Sequence, residues 1–275
     1  GRDTFIAARG LLSAGWVDEV FGIVRAFAKF EDRGSLPNVL NGENASNRET
    51  SDAPLWFGKV CAELAETMGE DIFAERMADG RQLREVLISI GCGYRDGTPQ
   101  GIRMDLESGL IWSPSHFTWM DTNYPAGTPR EGYPVEIQAL WIELLGILSR
   151  LDSAGGWDVL ECRAREAFGR YFCQTSSGWV ADLLPATEGV KPSDAPCDDS
   201  LRSNGLIAVA LRGVPLPVAR VTVMAACDHL VVPGAMRSLA PLRVAVPMSV
   251  RSGTGELLND PIKPYWGRYE GDEDT

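Results

Sequence analysis

The sequence predicts an all-α fold, an (α/α)6 barrel (toroid) that is incomplete within this chain, with a β-rich insertion around residues 92–132. Apolar residues recur at helical spacing in successive segments, and these segments alternate between mostly apolar and amphipathic patterns. Long polar loops return at the same point of each helix pair. A ring of paired helices produces this alternation, because its inner helices are buried on every side whereas its outer helices keep one face in water.

The predicted helices follow one another along the chain. Their ranges are Thr4–Leu12, Trp16–Phe30, Ala53–Met68, Asp71–Ile90, Val135–Leu151, Asp158–Phe172, Ser200–Leu211 and Leu216–Ala226. A closed barrel of hairpins needs more helices than these, so we expect roughly two hairpins to lie outside the chain. An irregular all-α domain is the alternative that the pattern alone leaves open.

The composition of the chain argues against several classes of function. The formal net charge is -12, which argues against a nucleic-acid or anionic-membrane surface and suits a neutral ligand. No apolar run approaches the roughly 18 residues of a membrane span. The six cysteines are far apart and fit buried thiols in a reducing cytoplasm. With two histidines and no nucleotide-binding motif, we expect neither a metal nor a cofactor.

The ends of the chain do not look like natural domain boundaries. The sequence opens with Gly1-Arg2-Asp3-Thr4 and closes on an acidic stretch that ends at Thr275. We therefore expect residues 1–275 to form a single partial domain that is truncated on both sides.

Three loop segments combine aromatic with charged residues, at residues 1–4, 118–141 and 198–204. Sugar sites need this mixture, because aromatic faces stack on pyranose rings while carboxylates, amides and arginines bind hydroxyls. Cleavage of a glycosidic bond also needs a carboxylic acid beside the scissile oxygen. Asp121 is the strongest candidate, because it follows an aromatic-rich approach that includes Trp112 and Trp119. An apolar wall would raise its pKa. A loop or capping aspartate is the alternative.

Other candidates have ordinary structural alternatives. Glu136 and Gln138 fall near the start of an apolar helix, about 200° apart, so they cannot share one narrow face. Either could face the site, and Glu136 could equally be a solvated first-turn residue. Structural roles are also open for the remaining candidates, as terminal charges (Arg2, Asp3), a helix cap (Asp52), a core residue (Trp56) and first-turn residues (Arg202, Asn204).

Several colinear motifs resemble the amylo-α-1,6-glucosidase module of glycogen debranching enzymes, which are related to glucoamylases. The most specific are Thr118-Trp119-Met120-Asp121 and the stretch from Thr128-Pro129-Arg130 to Trp141. The others are Gly1 to Ala7, Leu36-Pro37-Asn38, Ser51 to Phe57, Gly109 to Trp112, Asp199 to Asn204, Met236 to Pro241 and Tyr265 to Gly271.

The resemblance implies hydrolysis of α-1,6-linked glucose at branch points of glycogen or limit dextrin, with inversion. It implies that Asp121 is the general acid and that Arg2 and Asp3 hold hydroxyls of the non-reducing glucose. The partner would be glycogen or another α-glucan. The candidate substrate-binding residues are Arg2, Asp3, Asp52, Trp56, Trp119, Arg130, Glu136, Gln138, Arg202 and Asn204.

One departure from the family leaves other readings open. The family's general-base glutamate lies near the C-terminal end of its barrel, and no segment here matches it, so we expect it beyond Thr275. The chain alone is then expected to be inactive. The alternatives are another α/α-barrel glycosidase, such as a glucoamylase or trehalase relative, and a non-catalytic glucan-binding module.

Overall fold

The computed structural model describes residues 1–121, 129–211 and 213–265, and this part of the chain is mostly helical. Thr128 and residues 266–271, which belong to two of the family motifs, lie outside the described residues. The helices are α1 (Arg2–Ser13), α2 (Val17–Ala28), α3 (Ala53–Met68), α4 (Leu83–Asp96), α5 (Val135–Leu151), α6 (Trp157–Phe172), α7 (Asn204–Ala210) and α8 (Leu216–His229). A 3-10 helix spans Glu70–Ala74.

The strands described are short and form two-stranded sheets that pair β1 with β2, β3 with β4, β5 with β6 and β7 with β8. They are β1 (Val39–Asn41), β2 (Asn44–Ser46), β3 (Arg103–Met104), β4 (Ile111–Trp112), β5 (Gly132–Pro134), β6 (Leu183–Pro185), β7 (Val231–Val232) and β8 (Ala235–Met236). The predicted predominance of helices is confirmed, and the incomplete (α/α)6 barrel stays a prediction.

One predicted helix is wrong. The segment Asp71–Ile90 is not continuous, because the 3-10 helix ends at Ala74 and α4 begins only at Leu83. Gly80 has a φ of +87° in the turn between them, and Arg76 forms an isolated β-bridge with Gln82. A left-handed glycine in a bridged turn ends helical hydrogen bonding, although the apolar spacing on either side is helical.

Other boundaries and faces also differ from the sequence expectation. Helix α1 was expected to be buried on nearly all sides, but Ile6 is 44% exposed. Helix α7 begins at Asn204 rather than at Ser200, because Arg202 bridges to Leu239 in an extended conformation. In the segment expected to be β-rich, α4 continues to Asp96, and the strands are only two or three residues long.

The chain separates into two compact units, and each is built from two stretches of sequence. Unit 1 comprises Gly1–Met104 and Leu140–Cys162, and unit 2 comprises Asp105–Ala139 and Arg163–Thr275. Helices α5 and α6 each begin in the sequence of one unit and end in that of the other.

Aromatic packing joins the helices of unit 1. The ring of Phe5 meets Phe27 and Phe57 edge-to-face, at centroid distances of 4.7 and 5.6 Å, which ties α1 to α2 and α3. Tyr94 of α4 stacks on Trp141 of α5 at 5.8 Å. Such pairs add to the free energy of burying the rings themselves.

A strand pair sets the start of α5 in unit 2. Strand β5 pairs antiparallel with β6, with Tyr133 opposite Leu184, and α5 follows β5 without a loop. Gly132 has a φ of +125°, and a Cβ there would lie 2.3 Å from the carbonyl oxygen of Leu184. Only glycine fits at this position, so the pairing depends on it.

Candidate functional site

Asp121 follows a segment in which two side chains are buried. Thr118 and Met120 are buried, whereas Asp121 is exposed. Burial lowers the pKa of His116, and the charge of Asp121 opposes that shift. Burial therefore lies at the residues before Asp121, and Asp121 itself is exposed.

A chain of hydrogen bonds leads from Trp119 into the interior of unit 2. The indole Nε1 of Trp119 donates to Oδ1 of Asn204 at 2.7 Å. Nδ2 of Asn204 donates to Oδ1 of Asp182 at 2.9 Å and lies 3.3 Å from the sulfur of Met120. The amide of Asn204 is fully buried and makes all of these contacts inside the protein.

Two arginines meet at the same aspartate. Arg130 Nη1 donates to Oδ2 of Asp182, and Arg202 Nε lies 3.2 Å from that oxygen. Arg130 Nη2 donates to Oε2 of Glu136 at 2.5 Å. All these side chains are buried. We call the five residues Asp182, Arg130, Glu136, Arg202 and Asn204 the Asp182 cluster. It joins four of the residues expected from the sequence.

Burial is the largest influence on the pKa of Glu136 within the Asp182 cluster. It raises the pKa of Glu136 to about 7, with a further rise from Asp182, and the opposing effect of Arg130 only partly offsets this. Burial alone would lower the pKa of Arg130, but Asp182 and Glu136 raise it above its ordinary value. The Asp182 cluster thus places two buried guanidinium groups beside two carboxyl groups, and burial disfavours the charged form of Glu136.

The side chain of Gln138 makes its hydrogen bonds to the backbone of the protein. Its side chain is fully buried, and its amide pairs with the backbone of Ile111, accepting from N–H at 2.7 Å and donating to the carbonyl at 2.8 Å. It also donates to the carbonyl of Pro134 at 3.1 Å. The side chain therefore fixes strand β4 against the start of α5.

Two of the candidates in unit 1, Arg2 and Asp52, are paired with each other. Arg2 Nε donates to Oδ2 of Asp52 at 2.5 Å, and Oδ1 of Asp52 accepts from Thr50 at 2.7 Å. Asp52 stands at the N-cap of α3 but makes no side-chain capping bond. Trp56 is buried with Arg9 over its ring at 5.6 Å, and Asp3 is exposed.

Sequence reasoning missed Asp182, which the structure places at the centre of the cluster in unit 2. One signal was available. Asp182 stands alone in the apolar run Val180-Ala181-Asp182-Leu183-Leu184. A carboxylate in such a run is buried with its neighbours and needs a charged partner there.

A pocket of about 490 Å³ borders the Asp182 cluster within unit 2. Its volume falls in the range of small-molecule sites. Arg130 and Asp198 contribute polar groups, and most of the lining is apolar, from Leu183, Pro185, Ala186 and residues 246–250. Burial raises the pKa of Asp198.

The described residues contain no group of three His, Cys, Asp or Glu side chains that could hold a metal ion. In the same part of the chain, none of the helices has the length and apolar character needed to cross a membrane.

Comparison with known proteins agrees with the resemblance in the sequence. A family model described as amylo-alpha-1,6-glucosidase matches residues 1–246. The chain belongs to this family. It is also similar to the glycogen debranching enzyme of Saccharomyces cerevisiae, with 27% identity over 209 aligned positions that cover 56% of this chain. The match spans 14% of the yeast enzyme's length. Membership places the chain among glycoside hydrolases.

Proposed function

We propose that this chain contributes the glucose-binding and acid-donating part of an α-1,6-glucosidase that removes single glucose residues from branch points of glycogen or limit dextrin. The observation that carries the proposal is the family match over residues 1–246, which includes the Thr118–Asp121 motif. The name of the yeast relative supports the glucan as substrate.

Asp121 is the proposed general acid. Its carboxyl group is exposed, so a substrate can reach it, and Trp119 beside it is 36% exposed and offers a ring face for a pyranose. An inverting enzyme also needs a second carboxylate roughly 6.5–9.5 Å from the acid, with room for the attacking water. The resemblance to the family assigns that second carboxylate to no residue of this sequence.

The site is proposed to act in the cytoplasm. The six cysteines are free, but Cys162, Cys197 and Cys227 are exposed, so the expectation that the thiols are buried is wrong for these three. Burial raises the pKa of Cys61 and Cys173, so these two thiols stay protonated and unreactive. Free thiols suit a reducing compartment such as the cytoplasm.

The substitution Asp121→Asn tests the proposal in a protein that contains this chain. It keeps the shape of the side chain and removes the proton that the glycosidic oxygen needs. We expect kcat on limit dextrin to fall by roughly 10²–10⁴-fold, with binding of maltooligosaccharides preserved. An α-glucosyl fluoride has a leaving group that needs little protonation, so its hydrolysis should fall much less.

Two controls make the result specific. Asp3→Asn changes another exposed carboxyl group, which is proposed to hold hydroxyls of the glucose. It should lower activity on limit dextrin and on α-glucosyl fluoride by similar factors. Comparison of α-1,4- and α-1,6-linked substrates separates a debranching enzyme from a glucoamylase relative. A kcat for Asp121→Asn within about threefold of wild type on limit dextrin would rule out Asp121 as the acid.

A further inference from the structure

Asp182 is connected to both flanks of Asp121. On the N-terminal side, Asp182 Oδ1 holds the amide of Asn204, which in turn contacts Trp119 and Met120, the two residues before Asp121. On the C-terminal side, Asp182 Oδ2 accepts from Arg130. One buried carboxylate thus links the residues on either side of the exposed acid.

We propose that Asp182 is a positioning residue that sets the location and orientation of Asp121 through Asn204 and Trp119. The proposal rests on the proposed role of Asp121 as general acid. Asp182 itself is buried and needs no contact with substrate.

The chemistry of the cluster requires an acceptor-only side chain at position 182. Arg130, Arg202 and Asn204 all present N–H groups to it. Asp182 accepts hydrogen bonds from Arg130 and Asn204 and is ion-paired with Arg202, which fixes the Asn204 amide with Nδ2 inward and Oδ1 toward Trp119. The Asn204 oxygen can then accept the indole N–H, and a reversed amide would place two donors against each other.

Asp182→Asn breaks this arrangement with little change in volume. The new side chain has one acceptor oxygen, which the charged guanidinium groups take because charge-assisted hydrogen bonds are stronger. Its amide NH₂ then faces Nδ2 of Asn204. We expect the Asn204 amide to rotate by half a turn, so that its Oδ1 accepts from the new NH₂ group. Its Nδ2 then faces the indole N–H of Trp119, and the hydrogen bond from Trp119 is lost.

The first measurement compares two substrates. For Asp182→Asn, kcat on limit dextrin should fall roughly 10–100-fold, the usual loss when a group that orients a reacting residue is removed, with KM within about threefold. Hydrolysis of α-glucosyl fluoride should change by less than about threefold, because it depends little on the acid. Equal losses of kcat on the two substrates in a variant that is folded would overturn the proposal.

The second measurement does not depend on activity. The indole N–H of Trp119 is observed by ¹⁵N-resolved NMR and assigned by its loss in Trp119→Phe. Its hydrogen exchange should be at least tenfold faster in Asp182→Asn, since the hydrogen bond to Asn204 is gone. Unchanged exchange would refute the link between Asp182 and Trp119, whatever the enzyme hydrolyses.

Asp198→Asn is the matched control. Asp198 is a buried aspartate of unit 2 whose charge also interacts with Arg202 and Asp182, but its Oδ1 accepts from the backbone and hydroxyl of Ser200 and takes no part in the hydrogen bonds that lead to Trp119. Its substitution should leave the indole exchange and the ratio of the two kcat values unchanged. Faster exchange in this variant would mean that the loss of any buried charge weakens the hydrogen bond of Trp119, which contradicts a specific role for Asp182.

A variant that fails to fold does not end the test. Trp119→Phe removes only the indole donor of a partly exposed residue, so the fold should survive, and it should lower kcat on dextrin more than on the fluoride. Lost ring stacking would affect both substrates alike. If the wild-type protein hydrolyses neither substrate, the proposed function fails, and the indole exchange still decides the role of Asp182.

Discussion

The buried carboxyl group of Glu136 gives a prediction at the scale of one residue. Its pKa is about 7 in the folded protein against 4.5 as its ordinary value, because burial disfavours the charge. A pKa raised on folding adds stability below the unfolded pKa, and that stability is lost as the pH rises through the folded pKa. As the pH rises from 5 to 8, ionisation of Glu136 should therefore lower the free energy of unfolding by about 2–3 kcal/mol.

The substitution Glu136→Gln should remove that contribution. Chemical denaturation of both proteins at several pH values measures it, as the difference between their stability profiles. The expected profile of Glu136→Gln is flatter from pH 5 to 8. Parallel profiles would show that Arg130 keeps Glu136 ionised across the range and that burial does not control its charge.

Single residues were predictable from the sequence where a motif carried them. Trp119, Arg130, Glu136, Arg202 and Asn204 were all candidates, and the structure joins them through hydrogen bonds and ion pairs in unit 2. Their roles were less predictable, because a sequence does not show which groups are already satisfied by protein partners. The amides of Gln138 and Asn204 form hydrogen bonds with other groups of the protein, which only the three-dimensional structure reveals.

At the scale of elements, a close approach between α4 and a turn gives a second prediction. A Cβ at Gly93 would lie 2.4 Å from the carbonyl oxygen of Arg33 and 2.5 Å from Cα of Gly34. Both neighbours are backbone atoms, which cannot rotate away. We expect Gly93→Ala to lower the free energy of unfolding by roughly 1–3 kcal/mol.

Gly22→Ala is the matched control, since Gly22 is also helical but a Cβ there meets nothing within 4 Å. It should raise the stability by up to about 1 kcal/mol, because alanine loses less entropy in a helix. Thermal or urea unfolding of the two variants tests the pair. Equal effects would mean that α4 and the turn move apart at little cost.

Helices with uninterrupted apolar spacing were predicted well. The bounds of α3 and α5 agree with the sequence expectation at both ends. The errors occurred where a local conformation overrides spacing, as at Gly80 in the turn before α4 and at Arg202, which bridges to Leu239 instead of starting α7. Long-range pairing of this kind leaves no periodic signal in the sequence.

At the scale of the whole molecule, the charge balance predicts how binding responds to salt. The net charge is -12, but the proposed ligand is a neutral glucan, and Arg130 is paired with carboxylates inside unit 2. A neutral ligand releases no counterions on binding. The dissociation constant for maltooligosaccharides should therefore change less than about threefold between 50 and 500 mM NaCl by calorimetry. A change above tenfold would point to an anionic ligand.

The division of the chain into two interleaved units has a consequence for its synthesis. Unit 1 needs the segment Leu140–Cys162, since Trp141 stacks on Tyr94 and Glu143 lies 3.3 Å from Lys59. That segment leaves the ribosome only after the first stretch of unit 2 has been made. Although domains of a growing polypeptide usually fold from the N-terminus onward, residues 1–104 must wait for later ones. Translation speed through residues 105–162 therefore sets how long the aromatic surface of unit 1 stays uncovered.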